Sequence, residues 1–249
     1  MKDLEFSRVL VVGPHPDDAE FGCGGAMARW AAEGKEVNLC VVTNGAAGSN
    51  DPAARREELI ETRDREQREA AAILGIKEVV ILGYEDGFVT DSHELRRDLI
   101  REIRRHRPDV AIGPDPSSFY FEQRYINHAD HRAVGLAFLA AVNPGSTTVP
   151  LYRPELYDRG FEPHQLKACL LAMSNAPDYF VDIGDYVDVK VRALRAHVSQ
   201  MGGWAGLEEG VREMSSRIGE HTGEGYPHAE AFKGFDFRPR IERQPPSST

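Results

Sequence analysis

At 249 residues the chain has room for one α/β core, or one such core with a small annex, and not for several large domains. A formal charge of −10 and a pI near 5.4 argue against a surface made for nucleic acid or anionic lipid. Three scattered cysteines, Cys23, Cys40 and Cys169, form no C-x-x-C pair, which excludes a disulfide framework and suits a reduced, cytoplasmic protein.

The charged opening from Met1 to Phe6 has no signal-peptide features, and no apolar run is long enough to cross a bilayer. The run Arg8-Val9-Leu10-Val11-Val12 reads as a buried parallel strand. Pro14-His15-Pro16-Asp17-Asp18-Ala19-Glu20 follows, then Gly22-Cys23-Gly24-Gly25, then a helix from about Gly24 to Ala32 that Gly34 stops. One imidazole and three carboxylates thus crowd a strand-to-helix turn. They repel one another unless a cation sits among them, and a divalent metal accounts for the cluster. In open α/β sheets such turns lie where ligands bind. The glycines do not make a dinucleotide fingerprint, because G-x-G-x-x-G requires glycine where Met27 stands. Cys23 is either a nucleophile or a small residue at a close helix–strand contact, and the surrounding glycines favour the contact.

Glu36 to Thr43 is a second buried strand, followed by a loop from Asn44 to Pro52. A long charged helix runs from about Ala53 to Leu74. Its inward stripe includes Leu59, Arg63, Glu66 and Ala70, so Arg63 and Glu66 are either an exposed i,i+3 pair or an inward one that aims the guanidinium at the site. Glu78 to Leu82 is a third strand, ending at Gly83-Tyr84-Glu85-Asp86-Gly87. A helix from about Ser92 to His106 leads to a fourth strand, Asp109 to Gly113. After a long loop, Asn127-His128-Ala129-Asp130-His131-Arg132 opens another helix, with His128 and His131 on one side of its first turn. Strands alternating with helices imply a parallel sheet with right-handed crossovers.

Beyond Asn143 the pattern weakens. Leu166 to Met173 and Tyr179 to Ile183 read as strands; Val187 to Gln200 and Leu207 to His221 read as helices. Gly225 to Phe232 has no regular period and is expected to pack over a site or a subunit boundary. The polar tail from about Gln244 is expected to be disordered. The organisation is therefore a core over residues 1–143 carrying the metal site. Residues 144–249 form a smaller C-terminal annex that completes the sheet and covers the site.

His15, Asp18 and one histidine of the pair His128/His131 make an N, N, O set, which suits Zn2+ and also Fe2+, Mn2+, Ni2+ or Co2+. Three protein ligands leave a position for water, the mark of a catalytic site. Asp17 neighbours the cluster and can take a proton from that water. The spare histidine can serve the leaving amine or an oxyanion, and Asp130 can orient an imidazole.

These motifs together resemble the PIG-L/LmbE-like family of zinc-dependent N-deacetylases. The resemblance rests on His15-Pro16-Asp17-Asp18-Ala19-Glu20 with Gly22-x-Gly24-Gly25, and on His128-x-Asp130-His131. Arg63-x-x-Glu66, Asp86-Gly87, Lys190, His197-x-Ser199-Gln200 and Glu230-Ala231-Phe232 extend it over most of the chain. It implies an α/β, Rossmann-like fold with helices on both faces of the sheet. The implied activity is hydrolysis of the acetamide of an N-acetylglucosamine-type sugar conjugate, a small amino-sugar substrate. By the same likeness His15, Asp18 and His131 are metal ligands, Asp17 is the base, and His128 is the acid or oxyanion stabiliser with Asp130 orienting it. Arg63 and Asp86 are substrate contacts, and a homo-oligomer is expected. Ala46-Ala47, where family members often carry an acid, leaves the sugar and aglycone open. The competing classes are a metal-dependent hydrolase of another ester, amide or phosphoester, and a non-catalytic metal- or sugar-binding protein.

Overall fold

The structure is a computed structural model that describes residues 4–121 and 125–239; the tail from Gln244 lies outside the described residues. Nine strands are present among them: β1 (Arg8–Gly13), β2 (Glu36–Thr43), β3 (Glu78–Tyr84), β4 (Val110–Pro114), β5 (Tyr120–Phe121), β6 (Tyr125–Ile126), β7 (Ala168–Ala172), β8 (Tyr179–Asp182) and β9 (Ala229–Asp236). The α-helices are α1 (Asp18–Ala32), α2 (Arg56–Leu74), α3 (His93–His106), α4 (Ala129–Ala140), α5 (Val187–Ala196), α6 (Val198–Met201) and α7 (Leu207–Thr222). None is long and apolar enough to cross a membrane.

Seven strands form one sheet in the order β3-β2-β1-β4-β7-β9-β8, parallel except where antiparallel β9 sits between β7 and β8. Residues alternate across a strand, so β1 feeds two cores. Val9 and Val11 pack with Met27, Trp30, Ala70 and Ala193 of α1, α2 and α5. Leu10 and Val12 pack with Leu95, Leu99, Val134 and Phe138 of α3 and α4 on the other face. Burial on both faces explains why β1, β2 and β4 are nearly unbroken apolar runs. Chain order reverses between β1 and β4, and the crevice at their carboxyl ends is the expected ligand position of such a sheet.

Three local features depart from the sequence reading. Helix α1 begins at Asp18, not near Gly24, and is broken at Cys23, whose φ of −152° is not helical. The second half therefore has its own unpaired N–H groups. Glu230 of β9 satisfies two of them, accepting from Gly25 N at 2.9 Å and Ala26 N at 2.8 Å. Lys190 of α5 neutralises that carboxylate at 2.5 Å and also donates to Phe21 O at 2.7 Å. The segment Gly225 to Phe232 does not simply cover a site or boundary: from Ala229 it is strand β9, inside the sheet. The loop after β4 contains the small β5–β6 hairpin.

Candidate metal and catalytic centre

The turn after β1 and the first turn of α4 meet above the crevice. Asp18 Oδ2 accepts from the backbone N of His15 at 2.8 Å and lies 2.9 Å from His15 Nδ1 and 3.1 Å from His131 Nε2. The ligand-capable atoms of His15, Asp18 and His131 all lie within 4.8 Å of one another. Two imidazoles and one carboxylate at this spacing match the donor set of a small divalent ion of the zinc type. A second grouping, His15, His128 and Asp130, shares His15 with the first.

Three acids surround His15. Besides Asp18, its Nε2 is 3.1 Å from both Asp130 Oδ2 and Asp86 Oδ1. Burial alone would lower the His15 pKa, but Asp130, Asp18 and Asp86 together push it up to about 12. Burial opposes ionisation of Asp18, yet His131 and His15 hold its carboxyl well below the usual carboxylate range. The acids crowded around His15 thus favour positive charge at this position.

Asp17 caps α1 with its backbone in the left-handed region, φ 103°. For a residue other than glycine this costs about 1 kcal/mol or more, and such strain gathers at functional sites. Two contacts hold it. Its N–H donates to Gln67 Oε1 at 3.1 Å, and its Oδ2 accepts from Arg63 Nη2 at 3.3 Å. Gln67 Nε2 in turn donates to Glu20 Oε1 at 2.7 Å, within a fully buried cluster that also holds His197, 3.7 Å from Glu20 Oε2. Burial and the charge of Asp18 push Asp17 up to about 7, with Arg63 acting against them.

Arg63 is 3% exposed. It also donates to Pro16 O at 2.6 Å and Gly45 O at 3.1 Å and stands 3.8 Å from Asp86 Oδ2, so it clamps the loops after β1, β2 and β3 together. Glu66 is inward too, but the two residues do not pair. Glu66 instead accepts from Ser199 N at 2.8 Å and Ser199 Oγ at 2.6 Å, docking α6 onto α2. Asp86 accepts from Ala47 N at 3.0 Å.

His128 is the N-cap of α4, its Nδ1 accepting from Asp130 N at 3.2 Å. With Nδ1 accepting that N–H, the ring's donor is Nε2–H. Its side chain is 44% exposed, which puts it at the mouth of the site. The Asp130 carboxylate is fully buried and closer to His15 than to His128, from whose Nδ1 it is 3.9 Å away. It accepts from Gly87 N at 2.7 Å and Val89 N at 3.2 Å, fixing the loop that bears Asp86. Cys23 is buried at the α1 break, and burial and Glu230 raise its thiol well above the usual range, so it packs there and does not act as a nucleophile. Gln67 was not singled out in the sequence, and Ser199 only within the resemblance motif; Glu20 was counted there among the three carboxylates around a cation, but it is turned to Gln67 and His197 instead. Gln67 does sit one turn beyond Arg63 on the inward stripe, and that spacing is the signal that could have found it.

A family model described as PIG-L: GlcNAc-PI de-N-acetylase matches residues 10–142. A diacetylchitobiose deacetylase of Thermococcus kodakarensis is 31% identical over 92% of this chain and 84% of its own. A probable N-acetyl-α-D-glucosaminyl L-malate deacetylase 2 of Bacillus anthracis is 33% identical over 78% of this chain and 81% of its own. Among solved structures, N,N'-diacetylchitobiose deacetylase from Pyrococcus horikoshii, in complex with an inhibitor, aligns with a TM-score of 0.83 at 30% identity, covering 94% of this chain and 85% of that one.

Proposed function

The chain belongs to the PIG-L family, and from that premise we propose that it is a metal-dependent hydrolase removing the N-acetyl group from an N-acetylglucosamine conjugate. The observation that carries the reading is the meeting of His15, Asp18 and His131 within 4.8 Å beside a buried, strained Asp17. His15, Asp18 and His131 would hold the metal, zinc being the first choice for an N, N, O set. When bound, such an ion polarises an amide carbonyl and lowers the pKa of water.

The chain's own residues do the rest. Asp17, with a pKa near 7, is poised to take a proton from the attacking water at neutral pH and give it to the departing nitrogen. Water, amide and base then balance: both protons of the water end on the departing nitrogen, acetate and a protonated amine leave, and Asp17 is regenerated. Arg63 orients the Asp17 carboxylate through the 3.3 Å contact, and Gln67 fixes its backbone. His128, its Nδ1 engaged by the Asp130 N–H, presents Nε2–H at the mouth of the site, a donor suited to the oxyanion of the tetrahedral intermediate. Asp130 holds His15 and the Asp86 loop. Asp86 and Arg63, joined across the site floor, bear on substrate placement through the loops they fix.

The test is an acetate-release screen over N-acetylglucosamine linked to a second sugar, to inositol and to malate, with and without a chelator, with phosphate release from sugar phosphates run in parallel. Chelator-sensitive acetate release is expected. Phosphate release without acetate would overturn the reading.

A further inference from the structure

Asp17 is held with φ 103° and ψ −26°, a backbone that a residue other than glycine keeps only where its surroundings fix it. Its N–H donates to Gln67 Oε1 at 3.1 Å. A glutamine amide has two ends of nearly equal size. Turned about, it would set an NH2 group against the Asp17 N–H, donor facing donor. Glu20 decides which end Asp17 meets. It lies two residues beyond Asp18 on α1, so roughly 200° of helical turn carries it away from the side that bears Asp18. There its Oε1 accepts from Gln67 Nε2 at 2.7 Å. A carboxylate oxygen is met by the NH2 end of an amide and not by its C=O end. With Nε2 on Glu20, Oε1 is left for Asp17. Gln67 stands one turn from Arg63 on α2, so the N–H and the carboxylate of Asp17 are held from one helix face.

Stability alone does not account for this cluster. Glu20, Gln67 and His197 are all fully buried. Glu20 Oε2 and both ring nitrogens of His197 have no hydrogen-bond partner in the protein, although His197 Nε2 stands 3.7 Å from Glu20 Oε2. Unpaired buried polar atoms are rare, and apolar side chains would fill the space at less cost. His197 reaches Glu20 from the junction of α5 and α6. The residues after it dock on neighbouring supports of the same base. Ser199 binds Glu66 of α2, and Gln200 Nε2 donates to Gly48 O at 3.1 Å.

We propose that Glu20 is a positioning residue for the Asp17 base. It acts through Gln67, turning that amide so that its oxygen faces the Asp17 N–H, while His197 backs the carboxylate from the other side. The third acid of the first turn is thereby neither a metal ligand nor a substrate contact. The proposal rests on the deacetylase reading above, in which Asp17 moves the proton.

The experiment uses the zinc-loaded protein and one accepted N-acetylglucosamine conjugate. Glu20→Asp keeps the carboxylate but withdraws it from Gln67 by one methylene. Its kcat should fall roughly 10-fold or more, with KM and metal content unchanged. Glu20→Gln keeps the reach and gives up the charge. Its oxygen can still accept from Gln67 while its NH2 meets the unpaired His197 nitrogen, so its kcat should stay well above that of Glu20→Asp. Adding His197→Phe to Glu20→Gln removes the partner that orients the introduced amide and should lower kcat again, which serves if Glu20→Asp does not fold. Added to Gln67→Leu, Glu20→Asp should cost less than about 2-fold more, because the residue it acts through is gone. Exchange of the Asp17 amide proton, followed by NMR without substrate, should quicken in Glu20→Asp and in Gln67→Leu. A higher kcat in Glu20→Asp than in Glu20→Gln, losses that multiply with Gln67→Leu, no further loss on adding His197→Phe, or unaltered exchange would each overturn the proposal. If wild type releases no acetate from any conjugate, the deacetylase reading falls, and the exchange rates still decide whether Glu20 sets Gln67.

Discussion

Replacing Arg63 with Met removes a buried guanidinium while keeping much of the side chain's length. Arg63 Nη1 and Nη2 donate to Gly45 O and Pro16 O, and both carbonyls lose their partner. Each buried acceptor left unpaired costs about 1–3 kcal/mol. Asp17 and Asp86 also lose their neighbouring positive charge while Asp18 and Asp130 remain close. Breaking a buried pair from one side costs about 3–5 kcal/mol, and since the two losses share one side chain they overlap, so that range is the expected total. For a chain of this size it corresponds to a fall of about 6–20 °C in melting temperature. The assay is thermal unfolding by circular dichroism on chelated protein, repeated with Zn2+. The deficit should shrink with metal, because a bound cation restores positive charge to the same acids. Arg63→Lys, which keeps the charge but not the fork, should fall between. A melting temperature within about 2 °C of wild type in chelated Arg63→Met would refute the view that this guanidinium ties the three loops.

Other outcomes follow from the same geometry. Asp17→Asn should keep stoichiometric metal by elemental analysis and lose turnover; its losing metal would break the division between base and ligand. His131→Ala should release the metal, and full retention would show that the ligands are wrongly assigned. Gln67→Leu frees the Asp17 N–H, and kcat should fall by roughly 10- to 100-fold with metal content and KM unchanged; an unaffected kcat would dismiss Gln67 as a positioning residue. Asp109 offers a pH test away from the site. Burial works against its charge, but Ser7 N, Arg8 N and Lys167 hold its pKa at about 2, below the ordinary 3.8. Its stabilisation is therefore present above about pH 4 and is lost as pH falls toward 2. With solvent screening it amounts to about 1 kcal/mol, or 2–4 °C in melting temperature. Asp109→Asn should melt lower than wild type by that much at pH 7 and converge with it near pH 2; a pH-independent gap would rule this account out.

The first half of the fold could be read from sequence because parallel strands covered on both faces leave long apolar runs, and β1, β2 and β4 do so. The meeting of His15, Asp18 and His131 could be read because acids and imidazoles gather in two short turns. What escaped depends on partners distant in the chain. Strand β9 carries Glu230 and Lys233 among small residues, so its alternation is masked, and Glu230 makes sense only opposite Lys190 and the α1 break. The early start of α1 was hidden by its glycines, which are there for contact: a Cβ on Gly25 would come within 2.7 Å of Ile183. Spacing left Glu66 either in an exposed pair with Arg63 or inward; it is inward, and its partner Ser199 lies 133 residues away. Asp130 was expected beside His128 from adjacency, whereas the loop amides of Gly87 and Val89 draw it toward His15.

Order of synthesis gives the Glu230 contact a further meaning. A ribosome that has reached Thr222 has already made every group assigned to the chemistry, His15 through His131. Yet the segment bearing Asp18 still has an open seam at Cys23, with no anion to close it. Chains that stop before Ala229 are therefore expected to be inert, and activity is expected only once β9 has been made.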